Sequence, residues 1–159
     1  MLLKIVSGGQ TGVDRGALDA AISSGVGHGG WCPSGRKAED GTIPGGYRLS
    51  ETPSSRYSER TECNVRDSDG TLVLSRGAIR GGTRLTIGLA RRYGRPCMVV
   101  FLDGTQDAQA VARWIGDWNV EVLNVAGPRE SSNPGIGTDA RRFIEEVICC
   151  DRLRTPAGS

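Results

Sequence analysis

Three features of this 159-residue sequence predict an α/β chain, a three-layer Rossmann-like fold with a mainly parallel sheet of about five strands. Short apolar runs alternate with segments of helical period. The runs are apolar almost throughout instead of at every second residue, the mark of strands buried on both faces. Glycine-rich turns stand where a run passes into a helix. With 37% hydrophobic residues a chain of this length buries one good core, so residues 1–150 read as a single domain.

Each element follows from its own residues. The run "LLKIV" is followed by a helix whose apolar stripe is Ala17, Leu18, Ala21 and Ile22, and a short run around "HGGW" supplies a second strand. "TLVLS" (71–75) precedes a helix from about Gly82 to Tyr93, and "PCMVVFL" (96–102) precedes one carrying Ala108, Val111, Ala112 and Ile115. "VEVLNVA" (120–126) leads through "GPRESSNPG" to a last helix with Ala140, Phe143, Ile144, Val147 and Ile148 on one face; Asn133 reads as its N-cap and Pro134 as its first residue. Between Cys32 and Asp69 the pattern lapses into glycine, proline and charge, and only "SERTECNVR" looks helical. A loop this long in a compact domain reads as functional, here a cover over a ligand. The tail "DRLRTPAGS" (151–159) has no period and reads as flexible.

Composition excludes several classes. Twenty basic against 18 acidic residues leave no global field to recruit nucleic acid or anionic lipid. "MLLKIV" is too short for a signal peptide and no later run is long enough to span a membrane, so a cytoplasmic protein with no membrane partner is expected. Five cysteines at irregular spacings, with no CxxC pair, read as reduced thiols, and one isolated histidine, His28, supports no protein-ligated metal site.

In an open parallel sheet, ligands sit beyond the carboxyl ends of the strands. After the first strand come Ser7, Gly8, Gly9, Gln10, Thr11 and Gly12, with Asp14 and Arg15 in the helix that follows. After the third come Ser75 and Arg76, then Arg80, Gly81, Gly82 and Thr83 at a helix mouth. Glycines let backbone N–H groups approach an anion, and the helix N-terminus adds positive partial charge, so the two turns read together as a phosphate cradle. The alternative, that the glycines only make tight turns, stays open. The first and third strands are expected side by side, so that both turns border one pocket and a Gly9→Asp change places a carboxylate in it. In the cover, Arg36 can grip a phosphate while Glu39 or Asp40 reads an amino-pyrimidine edge. Arg60 and Asn64 share a helical face, Asp69 ends that segment, and Arg129 follows the last strand; all four residues are candidates for ligand contact, as are Trp31 and Cys32 for pocket wall or core.

The stretches "SGGQTGVDRGALDAAI", "GWCPSGRKAEDGTIP", "RTECNVRDSDGTLVLS", "GGT" and "NVAGPRESSNPGI" together resemble the molybdenum cofactor carrier protein family, within the LOG-like (lysine-decarboxylase-like) Rossmann nucleotide-binding superfamily, over residues 3–148. The resemblance implies a pocket for a small phosphate-containing ligand, the molybdenum cofactor or a nucleotide, in a homo-oligomer. A hydrolase branch of that superfamily carries a motif like PGGxGTxxE, whose glutamate helps to break an N-glycosidic bond. Here Gly81, Gly82 and Thr83 are followed by Thr86 where that glutamate would stand. A carrier or binding protein is therefore preferred over a hydrolase or transferase acting on a nucleoside phosphate, or a sensor of nucleotide derivatives.

Overall fold

A computed structural model describes residues 1–154. β1 (Lys4–Val6) leads into α1 (Val13–Ser23) and β2 (Gly27–Gly29). The segment after it holds four strands of two residues each, β3 (Trp31–Cys32), β4 (Lys37–Ala38), β5 (Gly41–Thr42) and β6 (Ser50–Glu51), with a 3-10 turn at Ser34–Arg36. Then come α2 (Tyr57–Arg66), β7 (Gly70–Ser75), α3 (Gly81–Arg92), β8 (Cys97–Phe101), α4 (Ala108–Asp117), β9 (Val122–Ala126) and α5 (Ile136–Arg154).

Five strands form one parallel sheet in the order β2-β1-β9-β7-β8, with Ile5 opposite Leu123 and Leu72 opposite Val125. This is the three-layer α/β fold that the alternating pattern predicts. One expectation is corrected: β1 and β7 are not neighbours, because β9 lies between them and pairs with both. Counted from β9, the order becomes 3-2-1-4-5, the ordinary Rossmann sequence with its first strand and helix moved to the end of the chain. The two ends meet accordingly: the Leu2 N–H donates to Asp151 of α5 at 2.8 Å.

α1, α4 and α5 pack on one face, where Ile5, Leu72, Leu74, Leu123, Phe143 and Ile144 belong to the main core. α2 and α3 pack together over the other face, because the crossover into β8 and the crossover back to β9 run in opposite directions. Their apolar cluster is small, Val65, Leu89 and Ala90. Alternation along β7 turns Thr71 and Ser75 away from the face of Leu72 and Leu74, and Asn124 Nδ2 donates to Thr71 Oγ1 at 3.3 Å. One side of the sheet is thus apolar, and the other carries buried polar groups.

α5 differs from its expected bounds at both ends. It starts at Ile136, since Asn133 and Pro134 belong to a turn that closes with Ile136 N–H donating to the Asn133 carbonyl. It runs on to Arg154, with Asp151 buried, so the first four residues expected to be a tail are helical. The remainder of that tail, 155–159, lies outside the described residues.

Candidate functional site

Beyond the carboxyl ends of β9 and β7, where strand order reverses, a cleft of about 650 Å³ opens. The β9–α5 loop supplies Ala126–Arg129, Ser132 and Asn133; the β7–α3 loop and α3 supply Arg76, Ala78, Arg80–Thr83, Leu85 and Thr86; α2 supplies Tyr57, Ser58, Arg60 and Thr61. The β1–α1 turn supplies Gln10 and the first turn of α1 supplies Asp14. The turn before α3 lines this cleft with its glycines, whereas the β1–α1 turn reaches it only through Gln10; Gly8, Gly9 and Thr11 do not line it. Loops pack closely here: Gly12 has φ 81°, and a Cβ there would stand 2.5 Å from the Pro128 carbonyl oxygen.

The helix mouths around this edge differ in who fills them. α1 has no side-chain cap, but it carries the Asp14 carboxylate in its first turn, accepting from the Gln10 N–H ahead of the helix at 3.2 Å. In α4 Asp107 accepts from Ala110 N–H at 2.9 Å. In α5, the helix whose mouth holds pyrophosphate in an ordinary dinucleotide site, Glu130 accepts from the N–H groups of Gly135 and Gly137. α3 has no acidic residue in its first turn and no side-chain cap; Arg80 stands at its N-cap position. Among the described residues Arg80 has no ion-pair partner, whereas Arg76 is held by Asp139 and the Pro134 carbonyl. A Cβ at Gly82 would meet nothing within 4 Å, so the mouth of α3 faces open space.

The cleft lining is rich in donors. Four arginines, Arg60, Arg76, Arg80 and Arg129, face one carboxylate, Asp14. Gln10 is 5% exposed; its Oε1 accepts from the N–H groups of Thr11 and Glu39, which fixes the amide so that Nε2 is a donor with no acceptor among the described residues. Arg60 Nε is likewise buried without an acceptor, and Arg60 Nη1 stands 3.5 Å from Asp14. Burial pushes the Asp14 carboxyl above the ordinary aspartate value, against the pull of Arg60 and the Gln10 N–H. Two buried donors thus have no acceptor among the described residues and are open to one from a ligand or a water.

Other residues singled out by sequence are occupied elsewhere. Gly8 lines an adjoining pocket of about 10 Å³ with Asp14, Arg60 and Asn64. Gly9 packs under the cover: a Cβ there would stand 2.6 Å from Leu49 and 2.8 Å from Ile43, so Gly9→Asp would strike the cover and not the cleft. Arg15 donates to Asp40 and to the Gly9 carbonyl. Arg36 donates to the carbonyls of Ile43, Pro44 and Tyr47. Glu39 accepts from Thr11 Oγ1 and from both the N–H and Oγ of Ser131; burial raises its carboxyl, but these hydrogen bonds outweigh it and the net shift is downward. None of residues 31–56 lines the cleft. The cover thus clasps the β1–α1 turn, and reaches the β9–α5 loop through Ser131, without closing over the cleft.

Asn64 brackets the backbone of Trp31, accepting from its N–H at 2.8 Å and donating to its carbonyl at 2.9 Å. Ser75 ends β7, fully buried. Asp69 lies at the opposite end of the sheet, where it accepts from Glu121 and Val122 N–H. Sequence reasoning passed over Tyr57 and Glu130, and placed Arg76 and Arg80 beside the second glycine turn without giving them a ligand contact. The signal for Arg80 was its place directly before Gly81–Gly82; nothing local marked Glu130, whose partners are five and seven residues on. Among the described residues, no three of His, Cys, Asp or Glu converge as a metal-ligand group, and no helix is long and apolar enough to cross a membrane.

Comparison with known proteins agrees with this architecture. Residues 5–148 match the model of the circularly permutated YpsA SLOG family. A crystal structure named "Putative molybdenum carrier protein", from Syntrophus aciditrophicus SB, superposes with a TM-score of 0.86 at 44% identity, covering 92% of this chain and 95% of that one. No curated protein matches significantly. The permutation in the family's description is the one visible in the sheet, where the last strand of the chain takes the first place in the Rossmann order. By fold, by strand order and by sequence over residues 5–148, this chain belongs to the circularly permutated YpsA SLOG family.

Proposed function

We propose that this protein binds the molybdenum cofactor, a phosphorylated pterin, and carries it unchanged, with the phosphate seated at the mouth of α3. One observation carries the reading: of the helix mouths described at this edge of the sheet, α3 alone lacks a carboxylate of its own, and it opens into a donor-lined cleft beside Arg76 and Arg80. The name of the similar crystal structure supports the choice of ligand. Gln10 Nε2 and Arg60 Nε supply donors for further acceptors on the same molecule.

A second reading rests on Asp14. A buried carboxyl with a raised pKa in a cleft is a common attribute of an acid/base catalyst, which favours an enzyme acting on a nucleoside phosphate. Incubation with molybdenum cofactor, AMP and ADP-ribose separates the two. Retention of unchanged cofactor supports the carrier, whereas release of free base or ribose phosphate supports the enzyme. Gly82→Asp, which adds a carboxylate in open space, is expected to weaken binding of phosphorylated ligands more than about tenfold, since a hydrogen bond to a charged group is worth ~1.5–3 kcal/mol. Equal affinity of wild type and Gly82→Asp, measured by calorimetry, would remove the α3 mouth from the site.

A further inference from the structure

Besides the mouth of α3, the cleft has a second concentration of positive charge, on its α2 side. Three cations from separate parts of the chain gather on the Tyr57 ring: Lys37 Nζ lies 4.4 Å from its centroid, and the guanidinium carbons of Arg60 and Arg129 each lie 5.5 Å from it. Tyr57, Arg60 and Arg129 line the cleft, and Lys37 reaches the ring from β4 of the cover. The ring attracts each cation singly, but the three repel one another. Carboxylates offset only part of this charge. Glu39 stands 3.8 Å from Arg129 and already accepts hydrogen bonds from Thr11 and Ser131, and Asp14 stands 3.5 Å from Arg60. Arg60 Nε, buried, has no acceptor among the described residues. Like charges held together around an unfilled donor are favourable once an anion sits among them.

We infer that the cleft takes a ligand with two separated anionic groups, a phosphate at the mouth of α3 and a second anion in a seat made by Lys37, Tyr57, Arg60 and Arg129. The inference rests on the anion-binding reading of the cleft and narrows it. A second phosphate and a metal oxyanion present the same chemistry to this seat: tetrahedral or similar oxygens with negative charge, accepting from guanidinium and ammonium groups.

Calorimetric titration with fructose 6-phosphate and fructose 1,6-bisphosphate, at low ionic strength, tests it. Joining two seats in one ligand makes the second contact intramolecular, so the bisphosphate is expected to bind wild type at least about tenfold more tightly than the monophosphate. That ratio should fall several-fold in Lys37→Gln and in Arg129→Gln, and recover in Lys37→Arg. Molybdate added to the fructose 6-phosphate complex asks whether the same seat takes a metal oxyanion, and its displacement by the bisphosphate would place it there. A bisphosphate advantage that is absent, or unmoved by either glutamine substitution, overturns the second seat while leaving the α3 site standing. If neither sugar phosphate binds wild type and Gly82→Asp changes nothing, the anion-binding reading itself fails.

Discussion

Asp14 and Arg60 face each other across 3.5 Å at the floor of the cleft, and the carboxyl there holds its proton more tightly than an exposed aspartate does, because burial penalises its charge. Two consequences share a sign. The folded chain binds this proton more strongly than the unfolded chain, so Asp14 adds stability in acid that is lost as pH rises through the raised value. The same proton removes the one negative charge in the lining and leaves Arg60 to a bound anion. Sulfate, which keeps its charge over this range, is expected to bind wild type several-fold more tightly below the raised Asp14 value than above it. The Asp14→Asn variant should bind it with an affinity that hardly changes; calorimetry across that range decides, and a flat wild-type profile would detach Asp14 from anion binding. Glu130 shows the complementary case: its carboxylate already fills the α5 mouth, which is why a glycine-bearing turn in the Rossmann position offers no free seat. Residue type in the sequence pointed to Arg15, Arg36, Glu39 and Asp40 as ligand contacts. Their charges are spent on each other's neighbourhoods, Arg15 on Asp40 25 positions away and Glu39 on Ser131 92 positions away, and no local spacing reveals such pairing.

At the scale of elements, the cover is held more by its latch than by its own strands. Its cluster of buried apolar residues is Cys32, Ala38 and Ile43, with Tyr47 and Leu49 against it, and each of its strands has two residues. Glu39 ties it to the β1–α1 turn and the β9–α5 loop at once. Glu39→Gln keeps the shape but gives up charge-assisted bonds, so amide exchange across residues 37–47 is expected to quicken by about tenfold while the sheet strands keep wild-type protection. Exchange-rate mapping checks this, and unchanged rates in the cover would show that its small core suffices. The Arg15–Asp40 pair behaves alike: hydrogen bonds from Arg15 hold the Asp40 carboxyl below the ordinary range, so this support persists until strongly acid pH. The same physics decided what could be read beforehand. Strands and helices with a sustained apolar period, such as β7 and α5, carry their own signal. β3 to β6 have two residues each, too few to show a period; β3 depends on the distant β6, while β4 and β5 pair across a tight turn. The start of α5 was misplaced because Asn133-Pro134 has the chemistry of a cap, yet Gly135, at φ 87°, turns the chain once more before the helix begins.

Over the whole molecule, large apolar side chains stay exposed on both sides of the sheet, Ile22, Trp118 and Leu153 on the side of α1, α4 and α5. Leu85 of α3 is 40% exposed and Phe101, ending the edge strand β8, is 44% exposed, with Tyr93 close to the same level. Self-association is the expected outcome, and light scattering at micromolar concentration should give a multiple of 16.9 kDa, reduced to the single mass by Phe101→Lys. A wild-type mass of one chain would overturn it. The place of β9 also has a bearing on how the protein is made. During synthesis the ribosome releases β1 and β2, then β7 and β8, before the strand that joins the two pairs exists. Each pair waits with an open edge and an apolar face only partly covered by α1 and α4, since α5, the helix packed between them, follows β9. The order of translation therefore postpones closure of the sheet to the final quarter of the chain, and leaves the nascent protein dependent on whatever shields its strands until Val122–Ala126 slides between them.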